Sequence, residues 1–214
     1  MPPALIFDLD GVVIDSMPMH TDAWRIYLKR LNKPIENLEV RMHGRRNDEI
    51  VVEFIGRELS PGEIFDHGAA KERLFREMIG PRLEEHIVPG IKDFLRKHQG
   101  AAMAVASNAE PANIDFVLDA AGLRGCFRAI VDGHQVARPK PWPDIYLRAA
   151  QLLEMPPESC IVFEDSPAGV AAARAAGMRV VGVGTHTMDL DRVDLIVRDF
   201  LDPGLEKWLQ ATSC

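Results

Sequence analysis

The stretch Ala4-Leu5-Ile6-Phe7-Asp8-Leu9-Asp10-Gly11 runs a short apolar segment directly into two carboxylates and a glycine. A continuous apolar run bounded by a turn signal reads as a strand buried on both faces, the kind that belongs in a parallel sheet. Residues two apart on an extended chain project to the same side, so Asp8 and Asp10 lie close enough to repel and to share a cation or a proton. Taken alone they could be solvated acids in a turn. A calcium-binding loop also opens this way, but Met19 stands where its closing glutamate belongs.

Outward from that stretch, short apolar runs alternate with amphipathic segments through the second half of the chain, the pattern of a parallel α/β sheet. Strands are expected at Ala101–Ala106, Phe127–Val131, Ile161–Phe163, Val180–Val183 and Leu195–Val197, with helices near 91–98, 111–121, 143–153 and 167–176. Ser166-Pro167 supplies an N-cap and a first-turn proline, and Gly177 ends the helix that follows. Residues 16–86 differ, carrying helical periodicities at 19–31, 47–57 and 61–79 and no convincing strand. Ser60-Pro61-Gly62-Glu63 spells a capping box for the third of these. The expected organisation is therefore a core built from 1–15 and 87–214, interrupted by a helical insertion over 16–86.

The chain has 214 residues, 47 % of them apolar, which is ordinary for a globular protein able to bury a core. Its 25 basic and 32 acidic residues give a net charge of −7, which argues against general binding to nucleic acid. Cys126, Cys160 and Cys214 are scattered and form no metal-binding or disulfide pattern. No apolar run reaches the roughly 18 residues of a membrane span, and Asp8 and Asp10 interrupt the first one, so the protein is expected not to be exported. A cytoplasmic protein without membrane or nucleic-acid partners is expected; nothing in the sequence sets an oligomeric state.

Sites in open parallel sheets gather at the C-terminal ends of the strands. After the first strand stand Asp8 and Asp10, after the second Ser107 and Asn108, after the third a loop with Lys140, and after the fourth Glu164 and Asp165. So many carboxylates in one crevice call for a divalent cation, and all-oxygen ligation points to Mg²⁺, whose natural companion is a phosphate. Asp8 could then act as nucleophile, Asp10 as general acid and base, Ser107 and Lys140 as anchors for phosphoryl oxygens, and Asn108 as a substrate contact. Each has a plainer reading: Ser107-Asn108 caps a helix before Pro111, Lys140 is solvated between prolines, and Glu164 or Asp165 favours a helix dipole. The four groups occurring in order after four strands decide for the chemical one.

Asp8-Leu9-Asp10-Gly11-Val12-Val13, Ser107-Asn108, Lys140-Pro141 and Glu164-Asp165-Ser166-Pro167-Ala168-Gly169 resemble the four ordered motifs of the haloacid dehalogenase-like superfamily. Within it, the early helices with His20 and Trp24 resemble the β-phosphoglucomutase-like phosphatase branch. The resemblance implies an α/β fold: a Rossmann-like, doubly wound parallel-sheet core with an inserted α-helical cap domain that closes over a small phosphorylated metabolite. It also implies Mg²⁺, held by the Asp8 carboxylate, the Asp10 backbone carbonyl and Asp165, with Glu164 as ligand or support. The family's dehalogenases lack a second aspartate two residues after the nucleophile, so Asp10 favours P–O over C–halogen cleavage.

In the insertion, His20 is expected to touch substrate or orient Asp10, the plainer reading being the edge of a core around Trp24. Gly44-Arg45-Arg46-Asn47 could meet a sugar hydroxyl or a second phosphate. Lys71 is expected on a solvated helix face. A mutase of this branch must hold a bisphosphorylated sugar with cap cations; here Asn47 stands where its arginine is expected, and its lysine falls near Ala69. The expectation is a Mg²⁺-dependent phosphatase of a small phosphorylated metabolite, a sugar phosphate above all, acting through an aspartyl-phosphate on Asp8. The alternatives are a β-phosphoglucomutase on the same phosphoenzyme and, from another class, a non-catalytic module that only holds a cation.

Overall fold

The computed structural model describes residues 2–42, 47–184 and 190–212. Along the chain run β1 (Ala4–Phe7), α1 (Met17–Arg30), α2 (Leu38–Met42), α3 (Asn47–Phe54), α4 (Pro61–Ile79), α5 (Leu83–His86) and α6 (Ile91–Lys97). There follow β2 (Met103–Ser107), α7 (Pro111–Ala120), β3 (Ala129–Asp132), α8 (Asp144–Leu153), β4 (Cys160–Glu164), α9 (Pro167–Ala175), β5 (Arg179–Val183), β6 (Leu195–Val197) and α10 (Pro203–Thr212). The chain divides into two compact units, Met1–Asp15 with Glu84–Cys214, and Ser16–Leu83.

The first unit is built on a six-stranded sheet in the order β3-β2-β1-β4-β5-β6, every pairing parallel. Strands that pair in parallel need crossovers, and the intervening helices supply them. The chain leaves β1 to one side for β2 and β3, then to the other for β4, β5 and β6. That reversal opens a crevice at the C-terminal ends of β1 and β4. This is the doubly wound α/β architecture expected from the sequence.

Alternation along each strand sorts the core into two faces. Ala4, Ile6, Ala104, Ala106, Val162 and Val180 pack with Ile145, Tyr146 and Ala149 of α8 and Val170 and Ala173 of α9. On the other parity, Phe7 stacks on Phe163 with centroids 4.7 Å apart and planes 5° from parallel. Phe94 of α6 meets both rings edge-on, at 6.2 and 5.5 Å, each such pair being worth about 0.5–1.5 kcal/mol beyond its area. The small residues on the α8 face let a helix lie close, and Asp8 and Glu164 continue that same parity at the strand ends.

The second unit is helical. Trp24 and Leu28 of α1 are buried with Ile50, Val51 and Phe54 of α3. Helix α4 opens on a complete capping box: Ser60 Oγ accepts from Glu63 N, and the Glu63 carboxylate accepts from Ser60 N at 2.8 Å. Lys71 corrects an expectation, since it is buried at 2 % exposure and not on a solvated face. Its ammonium meets Glu72 Oε1 and His20 Nδ1, the latter at 3.1 Å, and lies 5.3 Å from the centre of the Trp24 ring.

Strand limits shift by a few residues from those expected, and α2, α5 and α10 were not foreseen. Ser107, expected just past a strand, is the last residue of β2, while Ala101 turns back on His98 through its N–H and precedes the strand. Helix α10 is as long as α7 and α8, and its buried Leu205 and Leu209 stand four apart, a helical spacing that the sequence reading passed over.

Candidate active site

Asp8 follows β1 and donates its own N–H to Phe163 O at 3.0 Å, so the ladder between β1 and β4 fixes its backbone beside Glu164. Both carboxylates are buried. Between them lies the Lys140 ammonium, 3.0 Å from Asp8 Oδ1 and 2.6 Å from Glu164 Oε1. Lys140 comes from the loop after β3, where its bond to Pro141 is cis and its N–H donates to Asn108 Oδ1 at 3.3 Å. Two of its three N–H groups are thus used, and the third remains for a ligand oxygen.

Glu164 ends β4 and Asp165 begins the turn into α9. Glu164 Oε2 accepts from the N–H groups of Asp165 and Ser166, both at 2.9 Å, and from Ser166 Oγ at 3.0 Å. Ser166 Oγ also accepts from Gly169 N at 3.1 Å, so one residue caps the helix and ties the carboxylate to it. Glu164 Oε1 accepts from Lys140 and from Tyr146 OH, the latter at 2.7 Å. Two glycines make room: a Cβ on Gly11 would lie 1.8 Å from Asp165 Oδ2, and one on Gly169 would lie 1.6 Å from Glu164 Oε1. At Gly11 the φ of +76° excludes most side chains independently.

The charges report the same crowding. Burial pushes Asp8 up to about 7; Lys140 opposes the rise, and Glu164 and Asp10 add to it. Burial also raises Asp165 well above the usual carboxylate range, with Glu164, Asp8 and Asp10 contributing. For Glu164 burial works in the same direction, but the Lys140 charge and the hydrogen bonds to it hold the carboxyl below its ordinary value. Burial pulls Lys140 down, and the carboxylates of Asp8 and Glu164 more than offset it. Tyr146 is pushed well above its ordinary value, by burial first and then by the charge on Glu164, and so stays a donor.

One oxygen each from Asp8, Glu164 and Asp165 lie within 4.8 Å of one another, the donor chemistry that suits a hard divalent cation. The residues present therefore fit Mg²⁺.

The structure brings Asp8, Lys140, Glu164 and Asp165 together, with Asp10 near enough for its charge to bear on Asp8 and Asp165. Ser107 ends β2 buried, its Oγ accepting from Ala109 N at 3.2 Å. Asn108, weighed as a substrate contact, supports the Lys140 backbone. His20 belongs to the helical unit, stacked on Phe75 with centroids 3.8 Å apart and hydrogen-bonded to Lys71. Asn47 opens α3 with its Oδ1 buried and without a partner among the described residues. Gly44, Arg45 and Arg46 lie outside the described residues. Sequence reasoning missed Tyr146, whose place among the apolar positions of α8 gave no sign of its hydroxyl, and Asp132, which caps the turn after β3 by accepting from His134 N at 2.8 Å.

Known proteins resemble this chain in sequence and in fold. The chain is 32 % identical over 209 residues to β-phosphoglucomutase of Bacillus subtilis, covering 95 % of this chain and 92 % of that one. It is 35 % identical over 183 residues to a fructose-1-phosphate phosphatase of Escherichia coli, covering 84 % and 95 %. A crystal structure of β-phosphoglucomutase from Clostridium difficile superposes with a TM-score of 0.83 at 28 % identity, covering 99 % and 98 %. The family profile described as haloacid dehalogenase-like hydrolase matches residues 2–177. With that match joined to a doubly wound core carrying a lysine between two buried acids, the chain belongs to the haloacid dehalogenase-like hydrolase family.

Proposed function

We propose that the protein is a Mg²⁺-dependent phosphatase of a small phosphorylated metabolite, a sugar phosphate above all, with residues 16–86 as its cap domain and the cytoplasm as its setting. The observation that carries this reading is the Asp8–Lys140–Glu164 contact, which sets a nucleophilic carboxylate beside an ammonium with a donor to spare. The Asp8 and Asp165 carboxylates and the Asp10 backbone carbonyl would hold Mg²⁺, with Glu164 beside them. Bound there, the cation would neutralise phosphoryl oxygens and keep Asp8 ionised.

An Asp8 oxygen attacks phosphorus while the bond from phosphorus to the sugar oxygen breaks. Asp10, as the carboxylic acid, delivers its proton to that departing oxygen. Lys140 and Ser107 hold the phosphoryl oxygens as charge builds on them. Asp10, now a carboxylate, takes a proton from water as the water oxygen attacks the phosphorus of the aspartyl-phosphate. Inorganic phosphate leaves and Asp8 is regenerated.

A mutase would use the same phosphoenzyme but pass its phosphoryl group to a second hydroxyl, as the likeness to β-phosphoglucomutases allows. Holding a bisphosphate calls for uncompensated cations, and the buried Lys71 has its charge met by Glu72. That pairing favours the hydrolase. Incubation with β-glucose 1-phosphate and a trace of the bisphosphate separates the two: free phosphate supports the phosphatase, and efficient formation of glucose 6-phosphate without phosphate release overturns it. A protein inert towards phosphorylated sugars and a generic aryl phosphate alike would be a cation-holding module.

A further inference from the structure

The hydrogen bonds around Glu164 are more numerous than a cation ligand can carry. An ionised carboxylate offers about four lone-pair positions. Glu164 meets five donors: Lys140 Nζ and Tyr146 OH on Oε1, and Asp165 N, Ser166 N and Ser166 Oγ on Oε2. The residue is fully buried, so none of these partners can be exchanged for bulk water without opening the core. Gly169 leaves the space the carboxylate fills.

Tyr146 sits at the centre of this arrangement. It is fully buried, on the face of α8 that packs against the sheet, where Phe would fill the same volume. Its hydroxyl donates to the very oxygen that Lys140 uses, and its ring centre lies 4.9 Å from the Lys140 ammonium. One residue thus holds the lysine's carboxylate partner through its hydroxyl and faces the ammonium with its ring, which leaves the lysine little freedom.

We propose that Tyr146 is a positioning residue that commits Glu164 Oε1 to Lys140, so that Glu164 fixes the phosphoryl-anchoring lysine and is not itself a cation ligand. This inference rests on the phosphatase reading for the role of Lys140, and it adds a division of labour within the acid cluster. Asp8 and Asp165 serve the cation. Glu164 and Tyr146 serve the lysine.

The test compares Tyr146→Phe, Glu164→Gln and Asp165→Asn in the full chain. Calorimetry reads binding of Mg²⁺ alone, then of inorganic phosphate at saturating Mg²⁺; steady-state release of phosphate from an aryl phosphate gives kcat and KM. Losing one charge-assisted donor, Tyr146→Phe is expected to weaken phosphate binding and raise KM by about tenfold, with Mg²⁺ affinity within about threefold of the parent. Glu164→Gln is expected to keep Mg²⁺ affinity within about tenfold, whereas Asp165→Asn loses about a hundredfold or more. A Glu164→Gln loss as large as that of Asp165→Asn overturns the proposal. So does a Tyr146→Phe protein that binds phosphate as the parent does, or one that loses Mg²⁺ and phosphate affinity alike through general loosening. Should Glu164→Gln not fold, the split between the two affinities in Tyr146→Phe decides. A parent protein that binds Mg²⁺ and phosphate but releases none from any substrate contradicts the phosphatase reading and leaves this comparison intact.

Discussion

Asp8 is held at a cost. Its value of about 7 in the metal-free protein means that folding favours its protonated form over the ordinary carboxylate value of 3.8. The stability this contributes is fully present below about pH 4 and is lost as pH rises through 7. At pH 8 the buried charge opposes folding, so Asp8→Asn is expected to stabilise the metal-free protein by on the order of 3 kcal/mol, while abolishing phosphate release. Urea unfolding at pH 5 and pH 8 checks this: the variant's advantage must grow with pH, and an advantage equal at both would refute it. At this scale the sequence is readable where chemistry is unusual and unreadable where it is disguised. Two acids after an apolar strand have few plain explanations, so Asp8 and Asp10 stood out. Lys71 reads as surface because lysines ordinarily are; its burial depends on Glu72 and on His20 arriving from another helix. Tyr146 reads as core, and it is core; its hydroxyl acquires a role only when β4 places Glu164 opposite it.

Among the elements, the turn from β4 into α9 carries the most constraint. Ser166, Pro167 and Gly169 make it a well-capped helix start, a feature legible from residue types alone. The reason for glycine at 169 is not local. In a helix Gly→Ala ordinarily gains up to about 1 kcal/mol, but at Gly169 the new methyl would overlap Glu164. Gly169→Ala is therefore expected to lose roughly 1–3 kcal/mol together with most activity. Gly62→Ala, in the first turn of α4 with nothing within 4 Å of its Cβ, is expected to gain a few tenths to about 1 kcal/mol. Denaturant midpoints of the two variants give opposite signs if the contact is as described; two stabilised proteins would contradict it. Most strands were legible because buried parallel strands are continuous apolar runs. Helices α2 and α5, of five and four residues, were not, because so few turns give periodicity little room, while α10 carries Leu205 and Leu209 at helical spacing and went unread.

For the molecule as a whole, the doubly wound order makes one crevice from residues far apart in sequence. Alternating strands and helices implied a parallel sheet and the family resemblance its doubly wound form, and the order accounts for Asp8, Lys140 and Glu164 meeting. Sequence could not show which members touch, because that depends on register: Phe7 pairs with Phe163, which sets Asp8 next to Glu164. The meeting leaves buried like charges that a cation relieves, and binding it requires Asp8 to give up its proton. Mg²⁺ affinity is thus expected to fall by roughly tenfold per pH unit below about 7, and added Mg²⁺ should raise the melting temperature more at pH 8 than at pH 6. Calorimetric titration across that range checks it; an affinity independent of pH from 5 to 8 would not fit. The covalent role of Asp8 is tested most directly by mixing enzyme, Mg²⁺ and a turned-over sugar phosphate, quenching in acid within a single turnover, and mapping the protein by mass spectrometry. The expected result is one phosphoryl group on the peptide containing Asp8, absent from Asp8→Asn; phosphate release at full rate with Asp8 never modified, or undiminished in Asp8→Asn, would contradict the mechanism.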